Sequence, residues 1–528
     1  LGLDPREFAD RNNDIIVNDL QRLGLTYDLF TRTTTANHYA VVQDLFATLY
    51  ANGAITKQTA LGAFAAGTDR ALPDRYIEGT CPYCGYGSAR GDQCDNCGRQ
   101  LDPTDLIDPR SRIDGQPPEF RDTEHFFLDL AQFAVRLREW IGASDWRPNV
   151  RTFSMNLLDE LRARAITRDI DWGVPIPLPG YGPDSTKRIY VWFDAVIGYL
   201  SASIEWAAVC TGDDQAWQRW WIGDDVTAAY FMGKDNIVFH SVIWPSILMG
   251  YDVGPLTDGS GPLDLPTDIV SSEYLTMESA KFSSSRGVVI FVKDFLERYD
   301  PDPLRYYLCA AGPETQDTDF TWSEFVRRND EELVATWGNL VNRCVSMTHR
   351  NFGTLPPKVL PQPHDLELIA RVEAGFDEVG ALIERTRFKL ALSTAMSLAA
   401  DVNRYLSDEQ PWKLFESDRD RAGTVLNVGL QCVANLCTLF APFLPFTSAA
   451  ARAQLGLEPG AIAPQPRIEN VGDGDDRHQV ITTDAGTAKW SPISLADGSP
   501  IGPPQPLFRK LGPTVVEEEL ARLAANDA

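Results

Sequence analysis

Two Cys-x-x-Cys pairs, Cys81 with Cys84 and Cys94 with Cys97, stand with nine residues between them. A tight turn within each pair directs two sulfurs the same way, and two such turns supply the four thiolates of a tetrahedral zinc ion. Sulfur fills every coordination position, so the spacing predicts a structural Zn²⁺ rather than a catalytic one. The competing arrangement is a pair of disulfides. Cys-x-x-Cys closes poorly as a structural disulfide, and the opening Leu1-Gly2-Leu3-Asp4 has neither the basic nor the apolar stretch of a secretory signal. The remaining cysteines, Cys210, Cys309, Cys344, Cys432 and Cys437, lie scattered in apolar or mixed segments and suit free thiols in a reducing compartment. A cytoplasmic location is therefore expected.

A chain of 528 residues exceeds the size of one core, so roughly two to four domains are expected. The longest apolar stretch, Leu436 to Phe446, is interrupted by Pro442 and Pro445, and no membrane span is expected from it. The net charge of −26 opposes non-specific attraction to phosphate polyanions, so a nucleic-acid partner would have to meet a local basic patch.

Asp4-Pro5-Arg6-Glu7 reads as a helix start, with an Asp cap, Pro in the first turn and Glu positioned for a capping box. From about Tyr50 to Ile176 the sequence becomes loop-rich and carries the cysteines, the pattern of an inserted module. Three β-rich runs follow, at 189–193, 228–232 and 268–270, the first two leading into helix-like stretches at 195–206 and 236–249. Strands alternating with helices predict parallel βαβ units in an open α/β sheet, the second half of a nucleotide-binding fold. From Glu331 onward Leu333, Trp337, Leu340, Val341 and Cys344 recur at helical spacing, and further helical runs cover 366–406 and 424–440, which predicts an α-helical bundle. Beyond Leu455 a Pro, Gly and Asp-rich stretch reads as a linker, helical again only over 515–525.

Lys281-Phe282-Ser283-Ser284-Ser285-Arg286-Gly287 follows the third β-rich run. An ammonium, three hydroxyls, a guanidinium and a glycine in one loop can surround a polyphosphate; taken alone, the same composition also describes a solvated turn. The run resembles the Lys-Met-Ser-Lys-Ser signature of class I aminoacyl-tRNA synthetases. Tyr190 to Tyr199 (YVWFDAVIGY), Gly233 to His240 (GKDNIVFH), Asn403-Arg404-Tyr405 through Glu409-Gln410-Pro411-Trp412, and the cysteine cluster are similar, in this order along nearly the whole chain, to the methionyl-tRNA synthetase family.

That resemblance implies a Rossmann-like catalytic domain with an incomplete first half in 1–50, an inserted zinc-knuckle domain in 51–176, and the second half in 177–270. It further implies a stem-contact domain bearing the signature loop in 271–330, a helical anticodon-binding domain in 331–455, and a linker and tail in 456–528. Methionine, ATP with Mg²⁺, and tRNA(Met) are the implied substrates and partners of a monomeric ligase. Trp192, Ala195, Val196, Tyr199 and His240 would line the methionine pocket, and Arg168 matches an arginine needed for activation. Gly233 and Asp235 would hold ATP, with Asp235 on the ribose, together with Lys281 and Ser284. Lys281, Ser283, Ser284, Ser285 and Arg286 would act on the phosphates. Asn339 and Arg343, four residues apart on a face away from Leu333 and Trp337, would read the CAU anticodon with Trp412.

Three positions depart from the family pattern. No two of the six histidines stand three apart, so the His-x-Gly-His motif of the first βα turn is missing, and truncation upstream of Leu1 is the expected reason. The 528 residues alone are accordingly expected to show little adenylation. Ser284 replaces the second signature lysine, and Val196 a common proline. The competing readings are a class I synthetase for Ile, Val, Leu or Cys, and a non-catalytic paralogue that binds tRNA or nucleotide without charging it.

Overall fold

The computed structural model describes residues 4–526 apart from 95, 100, 183–184, 224, 282–289, 463, 485–486 and 488. The chain divides into two compact units. One comprises Leu1–Asp10, Leu29–Ser271 and Asn470–His478, the other Arg11–Asp28, Ser272–Glu469 and Gln479–Ala528. The opening helix Pro5–Arg22 starts where the Asp-Pro pair predicts, with the Asp4 carboxylate accepting the Arg6 backbone N–H at 2.8 Å.

In the first unit the helix Ala36–Ala51 is capped by Thr35, whose hydroxyl accepts the His38 backbone N–H at 3.1 Å. Its Val41, Val42, Leu45, Phe46 and Leu49 are buried at helical spacing in the main core. The strand Ile55–Phe64 then pairs antiparallel with Glu119–Leu128, in register from Ile55 opposite Leu128 to Phe64 opposite Glu119. The cysteine module lies in the sequence between these two strands, on a three-stranded sheet of Ile77–Thr80, Ala89–Arg90 and Ile107–Ser111 with its own small core. The stretch expected to be loop-rich is thus built on this long strand pair, which Arg164–Ala165 extends to a three-stranded sheet.

Two β-strand expectations are corrected here. Only Lys187–Ile189 is extended; Val191, Trp192 and Phe193 form the first turn of the helix Val191–Trp206. Phe193 joins Val196, Ile197 and Leu200 on the buried face of this helix, whereas Val191 stays exposed, so tertiary burial overrides local propensity. Lys187–Ile189 pairs antiparallel with Thr167–Asp169, whereas Ala229–Gly233 pairs with Asp268–Ser272, so among the described residues the three runs do not share one parallel sheet. The helical stretch after Ala229–Gly233 is present as a short 3₁₀ turn, Lys234–Asn236, a π-helical turn, Phe239–Ile243, and the α-helix Trp244–Tyr251.

In the second unit Leu275–Met277 pairs antiparallel with Ala280–Lys281 and parallel with Thr318–Phe320. Phe295, Tyr299, Phe320, Trp322 and Phe325 pack beside this sheet, with Phe320 and Trp322 edge to face at 5.3 Å. The helical bundle contains Asn339–Asn351, Pro363–Glu384, Phe388–Glu409 and Arg419–Phe440. The run expected over 366–406 is two helices, separated at Arg385–Arg387 where Thr386 takes φ 56°. Val191–Thr211 and Arg419–Phe440 are long and apolar enough to cross a membrane by length and composition; in the second, every residue from Ala422 to Phe440 is buried inside the protein.

Much of the segment expected to be a linker is ordered, and its 493–497 stretch lies on this bundle. Pro466–Val471 and His478–Thr483 form a two-stranded sheet. Farther on, the Ile493 N–H donates to Asn435 Oδ1 at 2.8 Å and the Leu495 N–H to Gln431 Oε1 at 2.9 Å. Gln431 and Asn435 are polar residues in the wholly buried stretch Ala422 to Phe440, and the extended tail satisfies them. The Pro and Gly content that reads as flexible describes a strap whose backbone is hydrogen-bonded to side chains, a partnership with no local sequence signal. The chain ends in the helix Thr514–Asn526.

Candidate active site and metal centre

The four cysteine sulfurs lie within 4.8 Å of one another, with Cys81 to Cys97 at 3.9 Å and Cys84 to Cys94 at 3.6 Å. Zn–S bonds of ~2.3 Å in a tetrahedron require sulfurs about 3.8 Å apart, so the donor set fits zinc. The two turns are built alike. Gly85 and Gly98 follow the second cysteine of each pair at φ 73° and 70°, their N–H groups donating to the carbonyls of Cys81 and Cys94. The Cys81 and Cys94 N–H groups donate in turn to the carbonyls of Tyr86 and Arg99, both at 2.9 Å. Cys81, Cys84, Cys94 and Cys97 would hold the ion, and four thiolates leave it no open position for a substrate.

Trp192 and Tyr199 project from the helix Val191–Trp206, and His240 from the π-helical turn Phe239–Ile243. Such turns displace a side chain from the regular helix path and recur at functional positions. Here the turn brings His240 to Tyr199. His240 Nδ1 donates to the Asn236 carbonyl at 2.8 Å, which leaves Nε2 as the acceptor for the Tyr199 hydroxyl at 2.7 Å. Burial lowers the His240 pKa below its ordinary value and holds the ring neutral. Tyr230 packs edge to face on Tyr199 at 4.8 Å, and Trp192 stacks on Phe239 at 4.5 Å. The result is one neutral, oriented imidazole packed against Tyr199 and Tyr230, while Trp192 also meets charge, with the Arg75 guanidinium 5.0 Å from its ring centre and Asp92 on its indole N–H. Ala195 is exposed on the same helix, while Val196 is buried in the main core.

Arg168 is not the surface charge its local sequence suggests. Its Nε and Nη2 donate to Asp74 Oδ2 at 2.9 and 2.7 Å, and Nη1 donates to the carbonyls of Ala165 and Thr167. The guanidinium also lies 4.3 Å from the centre of the Tyr190 ring. Arg168, Asp74, Tyr190 and Trp192 line one cleft together with Asp92. Gly233 ends its strand and Asp235 stands exposed in the turn after it, with Asn236 Nδ2 donating to its carboxylate at 3.3 Å.

Ala280–Lys281 is a short strand; Ser283, Ser284, Ser285 and Arg286 lie outside the described residues. Asn339, Arg343 and Trp412 belong to the second unit. Asn339 is exposed, Trp412 is 42% exposed rather than a core residue, and the Arg343 guanidinium lies 5.3 Å from the Trp412 ring centre.

Sequence reasoning missed Asp74, Asp92, Tyr230 and Phe239. The two aspartates are separated from Arg168 and Trp192 by about a hundred positions or nearly so, and nothing local marks them. Phe239 and Tyr230 carry a weak signal, since both fall inside or beside runs already singled out.

Residues 1–345 match the family described as class I tRNA synthetases (M), and residues 355–469 match the anticodon binding domain of methionyl tRNA ligase. A Methionine--tRNA ligase of Chloroflexus aggregans is 58% identical over 99% of this chain and 89% of its own length. One from Salinispora tropica is 59% identical with the same coverage of both proteins, 99% and 89%. The solved structure of Mycobacterium tuberculosis methionyl-tRNA synthetase bound by methionyl-adenylate superimposes with a TM-score of 0.72 over 96% of this chain and 88% of that one; at 23% identity it speaks to the fold alone. The fold is accordingly that of a class I synthetase catalytic domain followed by a helical anticodon domain. With both family matches falling in the expected order and relatives nearly three-fifths identical along its whole length, the chain belongs to the methionyl-tRNA synthetase family of aminoacyl-tRNA ligases.

Proposed function

We propose that the chain serves the ATP-dependent activation of methionine and its transfer to tRNA(Met). The observation that carries this reading is the packing of Tyr199 and Tyr230 on a neutral His240, next in sequence to Phe239, on which Trp192 stacks. A thioether is apolar and polarizable, makes favourable contacts with ring edges and faces, and offers only a weak acceptor.

The chemistry needs no covalent enzyme intermediate. A carboxylate oxygen of methionine attacks the α-phosphorus of ATP, the α–β bridge bond breaks, and pyrophosphate leaves; Mg²⁺, when bound, would supply neutralisation of phosphate charge. A ribose hydroxyl at the tRNA 3′ end then attacks the acyl carbon, and AMP leaves. Positioning and charge stabilisation supply the acceleration. Asp235 would accept the ATP ribose hydroxyls and Gly233 would let the backbone approach the nucleotide. Lys281, Ser283, Ser284, Ser285 and Arg286 would donate to the phosphates, with one cation fewer than the signature because of Ser284. Arg343 beside Trp412, with Asn339 on the same helix, offers a stacking surface and base-edge donors for an unpaired CAU anticodon. Zinc bound by the four cysteines would hold the inserted module in shape. A monomer is the assembly proposed.

Equilibrium titration with methionine, valine, isoleucine, leucine and cysteine tests the pocket, and titration with tRNA(Met) carrying its own or an altered anticodon tests the bundle. Binding of methionine above the others, and loss of tRNA affinity on changing CAU, are expected. A preference for valine would overturn the methionine assignment.

A further inference from the structure

Asp92 lies two residues before the zinc-site cysteine Cys94, yet its side chain is 3% exposed and is shared with the candidate methionine pocket. Its Oδ2 accepts the indole N–H of Trp192 at 3.3 Å and Nε of Arg75 at 2.7 Å. The same arginine lies 5.0 Å from the centre of the Trp192 ring, which also stacks on Phe239. The indole is thereby held at its edge by a carboxylate and covered by a phenyl and a guanidinium. Asp92 Oδ1 is buried without a protein partner, in a residue that lines the cleft containing Trp192 and Arg168.

The backbone around Asp92 is fixed as firmly as the side chain. A Cβ on Gly91 would stand 2.7 Å from the Asp74 carbonyl oxygen, so only glycine lets the chain pass there. The Gly91 N–H donates to the Ile77 carbonyl at 3.0 Å, and the Asp92 carbonyl accepts the Leu101 N–H at 3.0 Å. The neighbouring Gln93 Nε2 reaches the Asp235 carbonyl at 3.2 Å. Two adjacent residues of the cysteine module therefore grip two parts of the candidate site, the aromatic wall and the turn after Gly233.

Resting on the methionine reading above, we infer that Asp92 is a positioning residue for amino-acid recognition, through which the zinc module sets the orientation of the Trp192 ring. An indole released from Asp92 gains other rotamers, and with them other positions relative to the cleft it lines. A buried carboxylate hydrogen bond to the indole N–H, backed by Arg75, selects one orientation before substrate arrives.

The full chain is labelled with ¹⁵N-tryptophan and the Trp192 indole resonance is assigned with Trp192→Phe. Asp92→Ala is expected to shift that resonance and to weaken methionine binding about tenfold, the usual effect of a lost charged hydrogen bond, with ATP affinity and one zinc per chain retained. Asp92→Asn keeps an acceptor oxygen and should fall between the two. In the Trp192→Phe background Asp92→Ala should change methionine affinity little, because the partner is already gone. An unmoved indole resonance, or a moved one with unchanged methionine affinity, or equal effects of Asp92→Ala in both backgrounds, would overturn the inference. If the unaltered chain binds no methionine, the functional reading fails, while the indole resonance still decides whether Asp92 holds the ring.

Discussion

The Tyr199 hydroxyl donates to Nε2 of His240 at 2.7 Å, and it can do so because the other ring nitrogen is committed to the Asn236 carbonyl. The pair fixes one tautomer and one charge state at the centre of the aromatic cluster. Tyr199→Phe leaves a buried acceptor unpaired and should cost about 1–3 kcal/mol, read as lower thermal stability and weaker methionine binding.

The acid limb of methionine binding should follow the same histidine. Burial places its folded pKa below the ordinary 6.5, so the neutral form favours the fold above 6.5 and that contribution disappears as pH falls from there through the folded value. Methionine affinity should be level through neutral and mildly alkaline pH and decline on the acid side. Isothermal titration across that range checks it, and a decline on the alkaline side would contradict the neutral-imidazole assignment.

A second histidine titrates in the opposite sense. His478 Nε2 meets Glu205 Oε1 at 2.7 Å with both side chains buried, and the Glu205 hydrogen bond raises the His478 pKa against the opposing effect of burial. Its contribution to stability is complete below 6.5 and is lost as pH rises through the folded value. Urea unfolding of Glu205→Gln should show a deficit of about 3 kcal/mol in mild acid, shrinking toward alkaline pH as the native pair also loses its charge.

Zinc removal should act locally. Cys94→Ser, or prolonged chelation, should expose residues 77–111 to proteolysis, because the small core around Ile77, Leu101 and Leu106 is completed by Cys81 and Cys94. The far-ultraviolet helix signal of the bundle should persist. Metal analysis alongside limited proteolysis and circular dichroism decides the matter, and global unfolding on chelation would refute a confined role.

In the bundle, Trp412→Ala should weaken tRNA(Met) binding by about 1–3 kcal/mol, the worth of one aromatic stacking partner, and Trp412→Phe should recover most of it. Methionine affinity should not change in either variant. Filter binding with matched and altered anticodons gives the readout.

Composition and spacing alone carried several features into three dimensions. Cys81, Cys84, Cys94 and Cys97 were legible as a four-sulfur cluster because the turn that joins each pair is local, and the heptad-like recurrence of Leu333, Trp337, Leu340 and Cys344 marked a buried helix face for the same reason. The motif runs around Trp192 and Gly233 marked the residues proposed for the site. Only the tertiary structure decided what those residues touch. Trp192 begins a helix although its neighbours favour strands, Arg168 is buried on Asp74, and the Pro-rich tail is held by Gln431 and Asn435. Each of these depends on partners dozens to a hundred positions away. A sequence read through local propensity records the turns and periods set by adjacent backbone, whereas burial and hydrogen-bond pairing are fixed by which distant surfaces exclude water together.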